Sequence, residues 1–226
     1  MMTETFYLAT PSLGGLLVSG EDAALFLQGQ VTCDVNALDN KGGCGAFCNA
    51  KGRVICTFFS LKTENGFLLI MPTQRLEEIQ ARLNRYKLRA KVTITTQALT
   101  ELPCELPANF PWLTPETSEE FLPQWLNLDQ FGGISFSKGC YTGQEIVART
   151  HYLGEVKRRL FLATYADKSA VIDGNSPIID ENNVVVGHVL MAHEGVLQCV
   201  LTVERQHEVL RLASSFQKIV VMKEIL

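Results

Sequence analysis

Gly45-Ala46-Phe47-Cys48-Asn49-Ala50-Lys51-Gly52-Arg53-Val54-Ile55-Cys56-Thr57 is the stretch that decides the fold class. Two apolar runs, 45–48 and 53–61, flank the turn-forming Asn49-Ala50-Lys51-Gly52, so they read as strands of a hairpin. A third strand over 66–71 follows the Glu64-Asn65-Gly66 turn and completes a meander. Upstream, Leu16 to Gly20 reads as a strand that leads into a helix from Glu21 to about Gln30, with Ala23, Phe26, Leu27 and Gln30 on one side. Downstream, Pro72-Thr73 opens a helix with Leu76, Ile79, Leu83 and Tyr86 at helical spacing, and a strand follows at 92–95. Hairpin strands followed by a packed helix predict an α+β layer rather than a doubly wound sheet.

Beyond that layer, residues 98–126 carry five prolines and read as a connector. From Arg158 the pattern turns to strands at 160–165, 184–192, 196–204 and 219–225, with Gln206 to Ser214 as the one short helix. This predicts a small antiparallel barrel. The expected division is an α+β domain over 1–155, with the proline-rich segment 98–126 in its middle, and a barrel over 156–226.

The chain has 226 residues, 46% hydrophobic and 19% charged, which suits a soluble globular protein with a substantial core. Met1 to Tyr7 lacks a secretory signal and no apolar run is long enough to cross a bilayer, so a cytoplasmic location is expected. A net charge of -4 gives no reason to expect stable nucleic-acid binding. The alternating Arg85, Lys87, Arg89 and Lys91 are the local exception. They read either as a solvated face or as a cradle for an anionic ligand such as a polyglutamylated folate tail, or for RNA. Seven cysteines without a C-x-x-C pair argue against a disulfide framework and against a self-contained zinc or cluster site. Cys44 and Cys48, four apart on a strand, share a face and read as core filling.

The chemistry concentrates in Lys138-Gly139-Cys140-Tyr141-Thr142-Gly143-Gln144-Glu145, continued by Ile146-Val147-Ala148-Arg149. Thr142-x-x-Glu145 ahead of apolar residues fits a capping box. Cys140 would then sit just outside a helix N-terminus, where the helix end and the Lys138 ammonium favour thiolate over thiol. The other reading of the same residues is an ordinary capped helix with Cys140 as a small apolar filler. Arg149, one turn beyond Glu145, is placed to brace that carboxylate. His151 follows the motif as a candidate partner for the thiol.

This segment closely resembles the defining motif of the YgfZ family, folate-binding relatives of the glycine-cleavage T-protein that act in iron-sulfur protein maintenance. The resemblance extends to Leu27-Gln28-Gly29-Gln30-Val31-Thr32-x-Asp34-Val35, to Gly45–Val54, to Phe121-Leu122-Pro123-Gln124 with Phe131–Phe136, and to Gly154-x-x-Lys157-Arg158. It implies a T-protein-like folate domain followed by a C-terminal barrel. It also implies tetrahydrofolate as cofactor and a role in cluster assembly or repair that supports tRNA methylthiotransferases. The partners it implies are a folate-type small molecule and iron-sulfur assembly or client proteins. Cys140 and Lys138 become the candidate reactive residues. Gln28, Gln30, Asp34, Tyr141, Gly143, Gln144, Glu145 and Arg149 become candidate ligand contacts, and Gln28, Gln30 and Asp34 read equally well as helix-end caps. One cysteine cannot hold a cluster, which needs about four thiolate or equivalent ligands, so any cluster would be transient and shared with a partner.

Two departures matter. The T-protein segment N-x-x-G-G-[IV]-x-D-D corresponds to Asn49–Thr57, where both carboxylates are missing, so no side chain there orients a folate nitrogen. The relatives' I-E-A-G-F-P, whose glutamate contacts the pterin, corresponds to Leu106-Pro107-Ala108-Asn109-Phe110-Pro111, with Pro107 at the glutamate position. An aminomethyltransferase and a non-catalytic scaffold are therefore the competing functions.

Overall fold

The structure is a computed structural model and describes residues 10–39 and 41–225; Met1 to Tyr7 lies outside the described residues. Its first half runs β1 (Leu13–Ser19), α1 (Ala23–Gln28), β2 (Gly43–Cys48), β3 (Val54–Thr63), β4 (Gly66–Pro72), α2 (Leu76–Tyr86) and β5 (Thr93–Ala98). The strands form one antiparallel sheet in the order β2-β3-β4-β1-β5, with the expected β2-β3-β4 meander at one side.

This sheet is covered on both faces, which is why its central strands are apolar almost without interruption. In β4, Leu69 and Met71 face α1 and α2 and pack with Phe26, Leu27, Ile79 and Leu83. Leu68 and Ile70 point the opposite way, as the two-residue period of a strand requires. There they meet Phe110, Trp112, Leu113 and Phe121 of the connector, which carries only short 3-10 turns at Pro115–Thr117 and Pro123–Leu126. Cys44 and Cys48 lie in that same cluster.

The second half is a closed antiparallel barrel built from β6 (Arg158–Tyr165), β7 (Pro177–Ile179), β8 (Val185–His193), β9 (Val196–Thr202), β10 (Leu210–Leu212) and β11 (Lys218–Glu224). Strand order is β10-β11-β6-β9-β8-β7. Leu160, Leu162, Leu190, Val196 and Val200 turn outward from the barrel into the connector core, so sheet and barrel share one apolar layer. Polar groups pin this seam. Asn127, in the left-handed region at φ 56, donates to the carbonyls of Leu160 (3.1 Å) and Ile225 (2.6 Å) and accepts from the Leu160 amide (3.1 Å). Arg159 grips both carboxylate oxygens of Asp129, at 2.7 and 3.0 Å.

Three expectations need correction. Residues 206–214 contain no helix; a 3-10 turn at Val203–Arg205 precedes β10, where buried Leu210 and Leu212 flank exposed Arg211. Pairing of β10 with both β7 and β11 closes the barrel, which a helix there could not do. Tyr86 ends α2 facing solvent, 47% exposed. Residues 87–91 are not extended, so the alternating basic residues do not share a face; Lys91 instead pairs with Glu21 at 2.7 Å.

Candidate functional site

The motif helix is α3 (Gln144–Tyr152). Val147 inserts into the shared core, and buried Gln124 donates to the Val147 carbonyl at 2.7 Å. Ile146 packs on the β2–β3 turn, where Gly52 leaves room for it: a Cβ on Gly52 would come within 3.0 Å of the Ile146 side chain. Sequence reasoning placed the cap at Thr142. The cap residue is Gly143 at φ 84, and no side chain caps it. A reciprocal pair does exist one position earlier: the Gln144 amide donates to the Tyr141 carbonyl (3.2 Å) while the Tyr141 amide donates to Gln144 Oε1 (3.3 Å). Glu145 is left to pair with Arg149 at 3.0 Å on an exposed face.

The loop ahead of α3 turns its two chemical groups in different directions. Lys138, 9% exposed, points inward and donates to the carbonyls of Val31 and Cys33, both at 2.7 Å, with its ammonium 5.1 Å from the Tyr141 ring centre. Burial pulls this ammonium down from 10.5 to about 8, against an opposing pull from Cys33 and Asp34. The charge expected to activate Cys140 is therefore spent on holding the loop to the segment after α1. Tyr141 is buried with that ammonium over its ring, and burial raises its phenol.

Cys140 faces solvent and is the one exposed cysteine among the described residues. It lines an open hollow of about 610 Å³ together with Ala50, Tyr141, Thr142, Gly143, Gln144, Glu145 and Ala148. Four of the other thiols, Cys33, Cys44, Cys48 and Cys56, are buried and pushed up to about 12 by desolvation. Cys199 is buried and raised as well, and half-buried Cys104 is raised by the same cause. Accessibility thus singles out Cys140 as the thiol able to meet a partner.

The remaining candidates fall elsewhere. Gln28 donates to Asp34 at 2.8 Å and accepts from the Val35 amide at 3.0 Å, while Asp34 also caps the 3-10 turn at Val35–Ala37. Gln30 is half-buried and closes the α1 end through its amide to the Leu27 carbonyl. Asp34 borders a separate hollow of about 710 Å³, shared with Asp39, Cys33, Cys44, Phe131, Phe136 and Tyr152. His151 lies within α3 and stacks on Phe136 at 3.8 Å rather than pairing with the thiol.

A third cavity, about 400 Å³, escaped sequence reasoning. It lies between the connector and the barrel, lined by Leu106, Pro107, Phe110, Trp112, Met191 and Gln198 among others. It shares no lining residue with the Cys140 hollow. Gln198 is 1% exposed, and its Oε1 has no hydrogen-bond partner. Its one legible sign was a single glutamine inside the apolar run Val196–Leu201. Nearby, Cys56 and Thr57 of β3, at the positions matched to the missing carboxylates, are fully buried, and the Thr57 hydroxyl donates to the Pro111 carbonyl at 2.6 Å.

Among the described residues no group of three or more His, Cys, Asp or Glu is placed to hold a metal ion, and no helix is long and apolar enough to cross a membrane. No family model matches the chain. Individual proteins do. The tRNA-modifying protein YgfZ of Colwellia psychrerythraea is 30% identical over 97% of this chain and 92% of its own length. That alignment runs to 301 positions against 226 residues here, so the relative carries residues with no counterpart in this chain. The tRNA-modifying protein YgfZ of Yersinia enterocolitica is 39% identical over 51% of this chain and 33% of its own. Among solved structures, glycine cleavage system aminomethyltransferase T from Bartonella henselae superposes with a TM-score of 0.63 over 93% of this chain and 83% of that one. At 11% identity the latter likeness is one of fold.

Proposed function

The chain belongs to the YgfZ family, and on that footing we propose that it is a folate-binding accessory protein that supports iron-sulfur-dependent tRNA modification through the Cys140 thiol. The observation that carries this reading is the contrast among the seven thiols: Cys140 stands open to solvent, and the other six are buried or half-buried. A lone thiolate can serve as a temporary ligand or attack an oxidised sulfur, while the other ligands of any cluster come from a partner protein. The exposed Glu145–Arg149 pair and the Gly143 turn shape the surface such a partner would meet.

The cofactor we assign to the chain is tetrahydrofolate, and the cavity of about 400 Å³ is where it fits. The fit rests on aromatic walls at Phe110 and Trp112, apolar Leu106 and Met191, and the unpartnered Gln198 oxygen. When bound, a reduced folate carries one-carbon units on a nitrogen of its reduced ring and on the bridging aniline nitrogen. The cavity and the Cys140 hollow are separate surfaces, so the thiol works at its own face. We treat 1–155 and 156–226 as the two domains, with the cytoplasm as the compartment and iron-sulfur assembly or client proteins as partners.

Aminomethyl transfer is the reading we set aside. It asks for a carboxylate where buried Cys56 and Thr57 stand. Purified protein should show no glycine-cleavage activity; measurable turnover would restore that reading.

Complementation tests the main proposal. In a bacterial strain lacking its own family member, the wild-type chain should restore methylthiolated tRNA and Cys140→Ser should not. Full rescue by the serine variant removes the thiol from the function.

A further inference from the structure

We propose that Gln198 is the selecting residue of the connector–barrel cavity, and that it admits a flat, uncharged heteroaromatic ring presenting an N–H donor at its edge. This rests on the folate-type cavity assigned above and adds the residue that reads the ring.

Gln198 lies midway along β9, where Val196, Leu197, Cys199, Val200 and Leu201 are all buried and apolar. Its Nε2 donates to the Asn109 carbonyl at 2.6 Å, which fixes which way round the amide lies. The opposite atom, Oε1, is buried without a partner and belongs to a side chain that lines the cavity. An amide oxygen held in hydrocarbon surroundings is unfavourable until a donor reaches it. Buried Gln124 also has an unpartnered Oε1, but it lines none of the cavities described above. Among the described residues, those lining the cavity include no charged side chain, so the ring received there is an uncharged one and the carboxylates of a folate stay outside it. Phe110 and Trp112, in an edge-to-face pair at 4.6 Å, give the cavity flat walls suited to an aromatic ring. A ring N–H or amino group is the donor an amide oxygen takes best, and a water at this position would satisfy the atom without selecting anything.

Titration followed through tryptophan fluorescence, to which Trp112 contributes, tests this, using two probes with one ring system: pterin, which carries lactam N–H and amino donors, and unsubstituted pteridine, which carries neither. Wild-type protein should bind pterin at least about tenfold tighter than pteridine, the size of one well-formed hydrogen bond to a buried acceptor. Gln198→Leu should erase that preference, and Ala108→Phe, on an exposed segment at the cavity wall, should block both probes. Cys140→Ser should bind like wild type, so this result stands apart from the fate of the thiol. Equal binding of the two probes by the wild-type protein overturns the inference without any variant having to fold. Absence of pterin binding, or an unchanged preference in Gln198→Leu, overturns it as well. Tetrahydrofolate binding without pterin preference would leave the cofactor reading standing and remove Gln198 as the selector.

Discussion

Lys138 Nζ lies 2.7 Å from the carbonyl oxygen of Cys33, a residue 105 positions earlier in the chain. That bond and its twin to Val31 tie the cysteine-bearing loop to the segment after α1. The lysine of the motif therefore acts as an anchor for the loop. Cys140, two residues further on, stays at the surface.

Lys138→Met keeps an unbranched apolar stem and removes the ammonium with both of its hydrogen bonds. Two buried carbonyls lose their partners, and stability should fall by about 1–3 kcal/mol. Urea unfolding measures the loss. A variant as stable as wild type would show that the loop is held by something else.

The same ammonium predicts a pH dependence. Burial lowers its pKa to about 8 in the folded protein, from 10.5 in an exposed lysine. Between these values the unfolded chain binds more protons than the folded one, so stability rises with pH across that window. Below about 8 both states are protonated and the penalty of burying the charge is constant. Comparing wild type with Lys138→Met at about pH 7.5 and about pH 9.5 should show wild type gaining relative to the variant at the higher pH. A constant gap would refute the buried charge.

Gly143→Ala tests how α3 begins. Its φ of 84 is costly for alanine, and the added Cβ would lie 2.4 Å from the Asn49 carbonyl. A loss of about 2 kcal/mol or more is expected from strain plus displacement of the loop. Gly139→Ala is the control, since a Cβ there meets nothing within 4 Å. It should change stability by less than about 0.5 kcal/mol. If both variants behaved alike in thermal unfolding, the packing of the motif on the β2–β3 turn would be in error.

Asn127→Ala removes three buried bonds across the seam and leaves alanine at positive φ. About 2–4 kcal/mol should be lost. Asn127→Gly relieves the backbone strain and should recover about 1 kcal/mol of that. Separate unfolding of sheet and barrel in calorimetry, in place of one transition, would identify the seam as what makes them cooperative.

Much of this architecture was legible because turn residues and apolar periodicity coincide. Asn49-Ala50-Lys51-Gly52 and Glu64-Asn65-Gly66 bracket β3, and Ile79 and Leu83 mark the buried side of α2. What stayed hidden depends on partners far along the chain. β7 and β10 have three residues each, too short to display a period, and exist because the barrel must close. Thr142-x-x-Glu145 satisfied the capping pattern, but the left-handed backbone at Gly143 moved the helix start past it. The inward turn of Lys138 depends on Val31 and Cys33, which local charge reasoning could not see. The motif left Cys140 open to two readings, a thiol at the surface or a buried filler, and the structure has it exposed, whereas the cavity at Gln198 requires connector and barrel to meet.

The most direct test of the account is the site-resolved rate of alkylation by iodoacetamide at neutral pH, read by mass spectrometry on the folded wild-type chain. Cys140 should be modified first and in large excess over Cys104, with Cys33, Cys44, Cys48, Cys56 and Cys199 protected until the protein unfolds. Faster labelling of any of those six would contradict the claim that the motif presents one working sulfur.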